Sequence, residues 1–278
     1  MTEAADGHEG FEQWQRLAPR WERGRELRWE ATRPVSEWLA ARLDPQPGQT
    51  ILELAAGTGE TGFLAAPKLD PGGRLISSDR SPSMIEAARR VGAARGLANV
   101  EFLVLDAGHI DLPDASVDGV LCRWGYILKG DPPPALQEIR RVLRSGGRLA
   151  FSAWAERARN SWMTVPVDVM VERGHLQPPG PEAVRLSEKR NRDTIGRLLT
   201  EAGFGGTEID ELPVSYRFAT SEELWFFISE LRGRVALALE GLDESERTAI
   251  RAEIERRAGR TPSGGLELAG VSLNVVTA

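Results

Sequence analysis

Thr50-Ile51-Leu52-Glu53-Leu54-Ala55-Ala56-Gly57-Thr58-Gly59-Glu60-Thr61-Gly62 is a short apolar run that breaks into a glycine loop, with one carboxylate, Glu53, just ahead of the break. An apolar run bounded by glycines predicts a buried strand at 50–54 and a tight turn after it. Gly57, Gly59 and Gly62 spell G-x-G-x-x-G, and Asp79 lies close to the distance expected of a ribose-binding acid. A dinucleotide, and with it an NAD-dependent oxidoreductase, is therefore formally accommodated. Electrostatics argues against it, because the pyrophosphate would meet the Glu53 carboxylate at short range in a partly dry site. The same carboxylate would attract a cation, while Gly57 and Gly59 let the backbone approach a ligand where a Cβ would collide.

The rest of the chain bounds the alternatives. Its 278 residues allow one large α/β domain or one domain with a helical appendage, and 41% hydrophobic with 27% charged residues describes a globular protein. No apolar run approaches the roughly 20 residues of a membrane span, and the polar start of the chain lacks the basic and apolar regions of a signal peptide, so a cytoplasmic location is expected. A single cysteine, Cys122, excludes a disulfide framework and any multi-cysteine metal site, and its apolar surroundings predict a buried, inert thiol. A net charge of −6, with Arg and Glu interleaved at 21–30 and 244–260, points to solvated helix faces rather than a nucleic-acid groove.

Strand and helix signals alternate from 50 to 154. Further strands are predicted at 74–78, 100–105, 117–123 and 148–154. Ser81-Pro82 supplies an N-cap and a first-turn proline, after which Met84, Ala88 and Val91 share one face. Asp131 and the three prolines after it open the next helix, with Leu136, Ile139 and Leu143 inward and Ser145-Gly146-Gly147 ending it. Buried strands separated by crossover helices imply a doubly wound, mostly parallel sheet, whose ligands bind at the C-terminal strand ends. Those ends carry Asp79, suited to accept from two ribose hydroxyls; Asp106-Ala107, an acid for an adenine amino group beside a small residue; and Cys122-Arg123-Trp124. Each alone is equally a residue capping a loop or turn.

Glu53-Leu54-Ala55-Ala56-Gly57-Thr58-Gly59 resembles the first motif, acid-x-Gly-x-Gly-x-Gly, of the class I S-adenosylmethionine-dependent methyltransferases, with Ala55 in place of the first glycine. Asp111-Leu112-Pro113, Asp118 and the run 135–149 look like later motifs, and the whole is similar to the ubiquinone and menaquinone C-methyltransferases and their small-molecule relatives. The resemblance implies a Rossmann-like sheet of seven strands, closed by 206–212 and 270–276, with N-terminal helices and a helical lid. It also implies S-adenosylmethionine held by Glu53, Ala55, Gly57, Thr58, Gly59, Asp79, Arg80, Met84, Asp106, Ala107 and Arg123. Trp21 would lie in an N-terminal helix closing over the cofactor, as in similar methyltransferases. A module that binds S-adenosylmethionine without transferring methyl groups is the non-enzymatic alternative.

The expected organisation is a helical segment at 1–44 and a methyltransferase domain at 45–278, with inserts at about 155–189 and 221–262 forming a substrate lid. Trp162, Met163, Met170 and Leu224-Trp225-Phe226-Phe227 make these inserts apolar, which suits a flat or greasy small-molecule acceptor and would equally suit a homodimer interface. In the first helix Val35, Trp38, Leu39 and Leu43 form one apolar face. A sulfonium already activates its methyl group, so methyl transfer to oxygen or carbon asks mainly for in-line positioning and exclusion of water. The candidate catalytic residues are His175 as a base for a hydroxyl acceptor, and Arg123 and Tyr126 at the end of the fourth strand. A surface histidine is nevertheless the better reading of His175. Arg123 would orient an oxygen anion or contact the cofactor carboxylate. No metal is expected.

Overall fold

β1 (Thr50–Glu53) forms where the apolar run predicts, flanked by β2 (Arg74–Asp79) on one side and β4 (Val117–Arg123) on the other, both parallel to it. β2 pairs in parallel with β3 (Val100–Val104), and β4 with β5 (Leu143–Trp154). With β6 (Glu208–Phe218) and β8 (Leu266–Thr277) the order is β3-β2-β1-β4-β5-β8-β6, and the two-residue β7 (Gly259–Arg260) pairs antiparallel with β8. The fold is thus the mostly parallel, Rossmann-like α/β sheet expected. Its last strands are longer than 206–212 and 270–276. The computed structural model describes residues 19–20, 23–129, 133–188, 190–231 and 233–278.

The chain divides into two compact units. The sheet unit takes Arg33–Ala153, Arg190–Leu212 and Ser272–Ala278; the helical unit takes Met1–Thr32, Trp154–Lys189 and Pro213–Val271. The division falls within α1 (Arg25–Leu43), and the helical unit also takes the C-terminal part of β6 and the N-terminal part of β8.

In the sheet unit Ile51, Leu52, Leu75, Ile76, Val120, Leu121, Leu149 and Phe151 are buried, as strands covered on both faces require. β3 departs from this: it is the sheet's edge, and Val104 is 53% exposed. α2 (Gly62–Ala65) follows the glycine loop. α3 (Pro82–Ala94) starts as its sequence dictates, with Pro82 in the first turn and the Ser81 hydroxyl accepting from the Met84 N–H; Met84, Ala88 and Val91 are buried. α4 (Pro134–Val142) buries Leu136, Ile139 and Val142, but it stops before Leu143, whose backbone is already extended. Ser145, Gly146 and Gly147 therefore lie inside β5 rather than capping the helix. A close approach explains Gly147: a Cβ there would come within 2.9 Å of the Asp118 carbonyl oxygen. Asp131 lies outside the described residues. Cys122 is fully buried and its thiol is pushed up to about 12, an inert small hydrophobe as expected.

The helical unit has its own core. α5 (Ser161–Glu172), α6 (Pro181–Glu188), α8 (Ser221–Leu231), α9 (Arg234–Leu239) and α10 (Glu244–Arg257) belong to it, α7 (Arg192–Glu201) to the sheet unit, and a chain of rings runs through it: Trp154 to Trp162 at 4.6 Å, Trp162 to Tyr216 at 5.6 Å, Tyr216 to Phe227 at 4.8 Å and Phe227 to Phe218 at 5.3 Å. Such tilted pairs add to area burial about 0.5–1.5 kcal/mol each. Buried Asn160 ties the unit's strand to its loop, donating to the Ala155 and Glu156 carbonyls and accepting from the Val271 N–H.

Candidate active site

The glycine loop between β1 and α2 is held from below by two carboxylates. Glu53, 2% exposed, accepts from the Gly62 N–H at 2.7 Å and from the Ser77 hydroxyl at 3.0 Å. Gly62 must be glycine, because a Cβ there would fall 2.3 Å from a Glu53 oxygen. Burial pushes the Glu53 carboxyl up to about 8, against the pull of the Gly62 and Ser77 hydrogen bonds and the Arg123 charge. Near neutral pH the group is mostly protonated, and the Ser77 hydroxyl can then turn to accept its proton. Asp79, half-buried at the end of β2, accepts from the Gly57 N–H at 3.0 Å and the Ser81 N–H at 2.9 Å, and burial raises its pKa too. Each acid expected to face a ligand therefore first fastens the loop backbone to the sheet. Part of each carboxylate's accepting capacity remains for a ligand.

The loop's upper surface is open. Ala55 is exposed and has a φ of +54°, the left-handed conformation that favours the glycine of the related motif. A Cβ on Gly57, φ +57°, would meet nothing within 4 Å, so the backbone there faces free space that a ligand can enter. This cradle, bounded by Glu53 and Asp79, fits the ribose and methionine end of S-adenosylmethionine. Among the described residues no cluster of His, Cys, Asp and Glu could hold a metal ion.

A second buried network, absent from the sequence-based expectations, ties this loop to α1 and β4. The Thr58 hydroxyl donates to Glu60 at 2.7 Å, the Ser36 and Thr61 hydroxyls are 3.0 Å apart, and Arg123 reaches both Ser36 at 3.1 Å and Glu60 at 4.0 Å. Thr58, Glu60, Thr61 and Ser36 are all at most 3% exposed. A carboxylate inside a glycine loop was the available signal for Glu60. Ser36 carried none, since one serine on an apolar helix face is unremarkable.

At the end of β4 Arg123 stacks its guanidinium over the Trp124 ring at 5.2 Å. Trp124 has a φ of +56°, unusual for a bulky residue, and is pinned there by its N–H on Ser152 and its indole N–H on Ser272. The loops after β1 and β4 touch: a Cβ on Gly125 would come within 3.0 Å of the Ala55 Cβ. Tyr126 is 65% exposed.

Arg80 is exposed beside Asp79, and Met84 is 3% exposed inside α3. Asp106 is exposed and accepts from the Gly108 N–H at 2.8 Å, an Asx turn, with Ala107 half-buried beneath it. His175 belongs to the helical unit, where its Nε2 lies 2.7 Å from Glu246, a carboxylate that also takes two bonds from Arg173. The histidine proposed as a base is therefore engaged in an ion-pair cluster. Trp21 lies outside the described residues.

Comparison with known proteins agrees with this geometry. The family model described as "Methyltransferase domain" matches residues 45–179. The chain is 30% identical to a demethylmenaquinone methyltransferase of Clavibacter sepedonicus over 182 residues, 59% of this chain and 69% of that protein. It is 27% identical to the nocamycin O-methyltransferase of Saccharothrix syringae over 252 residues, 85% and 87% of the two chains. The YcgJ protein of Bacillus subtilis has the same fold, with a TM-score of 0.57 over 88% of this chain and 97% of that one at 15% identity. The chain spans about half the length of several other curated relatives it matches, 39% and 54% for two of them. A glycine loop slung between Glu53 and Asp79, on a sheet of this order and with these relatives, makes the chain a member of the class I S-adenosylmethionine-dependent methyltransferases.

Proposed function

We propose that this protein transfers the methyl group of S-adenosylmethionine to an oxygen or carbon of a small, apolar or aromatic organic molecule. The observation that carries the proposal is the open glycine cradle held between the buried Glu53 and the half-buried Asp79, with backbone at Gly57 facing free space. Glu53, Asp79 and the Gly57 and Gly59 backbone would hold the cofactor, with Asp106 and Ala107 at the adenine end and Arg80 and Met84 flanking. Bound there, the cofactor supplies a methyl group already activated by its sulfonium. The protein's part is to orient the acceptor, keep water out and fix the loop so that it does not reorganise during reaction. The Arg123–Glu60–Ser36 network does the last of these by locking the loop to β4 and α1.

The acceptor class draws support from relatives named for nocamycin, aklanonic acid and demethylmenaquinone, all small organic molecules. The expected lid, from about 155–189 and 221–262 with the 1–44 segment, stays part of the proposal, as does a cytoplasmic enzyme acting without a metal or nucleic acid. A homodimer is the other use of the apolar inserts. Calorimetric titration of ligand-stripped protein with S-adenosylmethionine, S-adenosylhomocysteine and NADH tests the cofactor. Tight binding of the two sulfur compounds, weakened in Asp79→Asn, is expected; binding of NADH alone would overturn the proposal. Normal binding with no transfer to phenols, quinols or carboxylic acids would make this a binding module instead.

A further inference from the structure

The segment that joins β3 to β4 carries no helix, yet it is fastened at both ends. At its start the Leu105 N–H donates to the Asp79 carbonyl at 3.1 Å. A small turn follows, in which the Asp106 carboxylate accepts from the Gly108 N–H at 2.8 Å and the Asp106 carbonyl from the His109 N–H at 3.0 Å. Beyond the turn the chain is taken by α4. Glu138 accepts from the Ile110 N–H at 2.8 Å. Arg141, one turn further along the helix, donates to the Ile110 carbonyl at 2.7 Å, the Leu112 carbonyl at 2.8 Å and the Asp114 carboxylate at 2.7 Å. The two side chains also hold each other, through paired bonds of 2.9 and 2.8 Å. A Cβ on Gly108 would stand 3.8 Å from Pro134, which sets the turn against the first residue of α4.

An irregular surface segment ordinarily keeps much of its backbone freedom, and a ligand that needs one conformation of it must supply the ordering free energy on binding. Here both ends of the turn are fixed before a ligand arrives. The Arg141 hydrogen bond holds the Glu138 carboxyl down at about 2, so the pair stays ionised from mildly acidic pH upward. Asp106, exposed at the turn, spends one carboxylate oxygen on Gly108, and among the described residues no hydrogen bond engages the other. We propose that Glu138 and Arg141 are positioning residues for the nucleoside end of S-adenosylmethionine: by setting the 106–109 turn in advance, they fix how strictly Asp106 selects an adenine amino group. The proposal rests on the placement of adenine at Asp106 and Ala107 and adds the groups that hold those residues there. Glu138 and Arg141 act through the Ile110 backbone rather than by touching the ligand. The planar guanidinium suits the task, because its fork meets the Glu138 carboxylate and the loop carbonyls together, which a lysine ammonium cannot do.

The experiment is calorimetric titration with S-adenosylhomocysteine and S-inosylhomocysteine, the second carrying an oxygen where adenine has its amino group. The wild type is expected to bind the adenine compound about 10-fold or more tightly, the worth of one hydrogen bond to a charged group. Asp106→Ala should erase that preference directly and serves as the reference. Arg141→Gln should cut it to about 3-fold or less, with the loss falling on S-adenosylhomocysteine and little change for the inosine compound. Arg141→Lys should recover part of the preference. Glu138→Gln, which keeps an acceptor for the Ile110 N–H but loses the charge, should lie between the wild type and Arg141→Gln; if Arg141→Gln does not fold, these two variants decide by the same ratio. A preference that survives in the Arg141 and Glu138 variants would overturn the proposal. So would equal weakening of both compounds, the mark of a merely structural role. A wild type that binds both compounds equally would overturn the proposal and the adenine placement while leaving the methyl-transfer reading intact. Failure of S-adenosylhomocysteine to bind at all would sink that reading and the proposal with it.

Discussion

Acidic residues in the two units behave in opposite ways. Under the glycine loop, Glu53 and Asp79 are withdrawn from solvent, bonded to backbone N–H groups, and raised in pKa by burial. In the helical unit, Glu246 and Glu253 lie near the surface, are clasped by Arg173 with His175 and by Arg256 with Arg257, and are held down at about 2. The first arrangement keeps a costly carboxyl where backbone geometry needs it. The second joins α10 to the residues after α5 through Glu246 and braces α10 on itself through Glu253, with pairs that solvent screens. Buried acids therefore shape the site, whereas exposed ones trim the scaffold.

The largest test of that contrast is Glu53→Ala. It strands the Gly62 N–H and the Ser77 hydroxyl in a buried space, so denaturant titration should show a loss on the order of 2–4 kcal/mol and calorimetry a loss of cofactor binding. A drop no larger than that of an ordinary surface change would show that Glu53 does not hold the loop.

The pH dependence comes next. Between pH 4.5 and about 8 the folded protein retains a proton on Glu53 that the unfolded chain has lost. This contribution is fully present below pH 4.5 and is lost as pH rises through about 8, a change on the order of a few kcal/mol. Unfolding free energies at pH 6 and pH 9 should therefore differ more in the wild type than in Glu53→Gln, which carries no ionisable group. Parallel profiles for the two proteins would contradict the raised pKa.

Ala55→Gly sharpens the comparison from the loop's upper side. Relief of the +54° φ should stabilise the protein by about 0.5–1 kcal/mol after glycine's extra freedom in the unfolded chain is deducted, with cofactor affinity kept or improved. Destabilisation would mean that the alanine methyl packs against something the loop needs. Glu246→Gln should have the smallest effect: a melting temperature within the scatter of surface substitutions, with cofactor affinity and its pH profile unchanged. A changed pH profile of turnover in this variant would support His175 as the expected base.

Much of this could be read along the chain because it depends on near neighbours. The Thr50–Glu53 strand and the turn at Gly57 and Gly59 follow from local pattern, as does the helix start at Ser81-Pro82. Where distant segments decide, that pattern fell short. The α4 pattern ran on to Leu143, but the pairing of Leu143 with Val117 and the approach of Gly147 to the Asp118 carbonyl draw those residues into β5. Glu53 announced a charge near a cation, yet its carboxyl turns down onto Gly62 and Ser77, a choice set by β2 lying alongside.

The sequence by itself determined the parallel α/β class, the glycine loop and the acids at the strand ends, because hydrophobic periodicity and glycine's backbone freedom are properties of adjacent residues. Only the tertiary structure decided which carboxylates hold backbone and which clasp arginines, that Ser36 and Glu60 share Arg123, and that His175 answers to Glu246. Burial and pairing depend on neighbours tens of residues away, and it is these, through desolvation and charge, that assign a polar side chain its role.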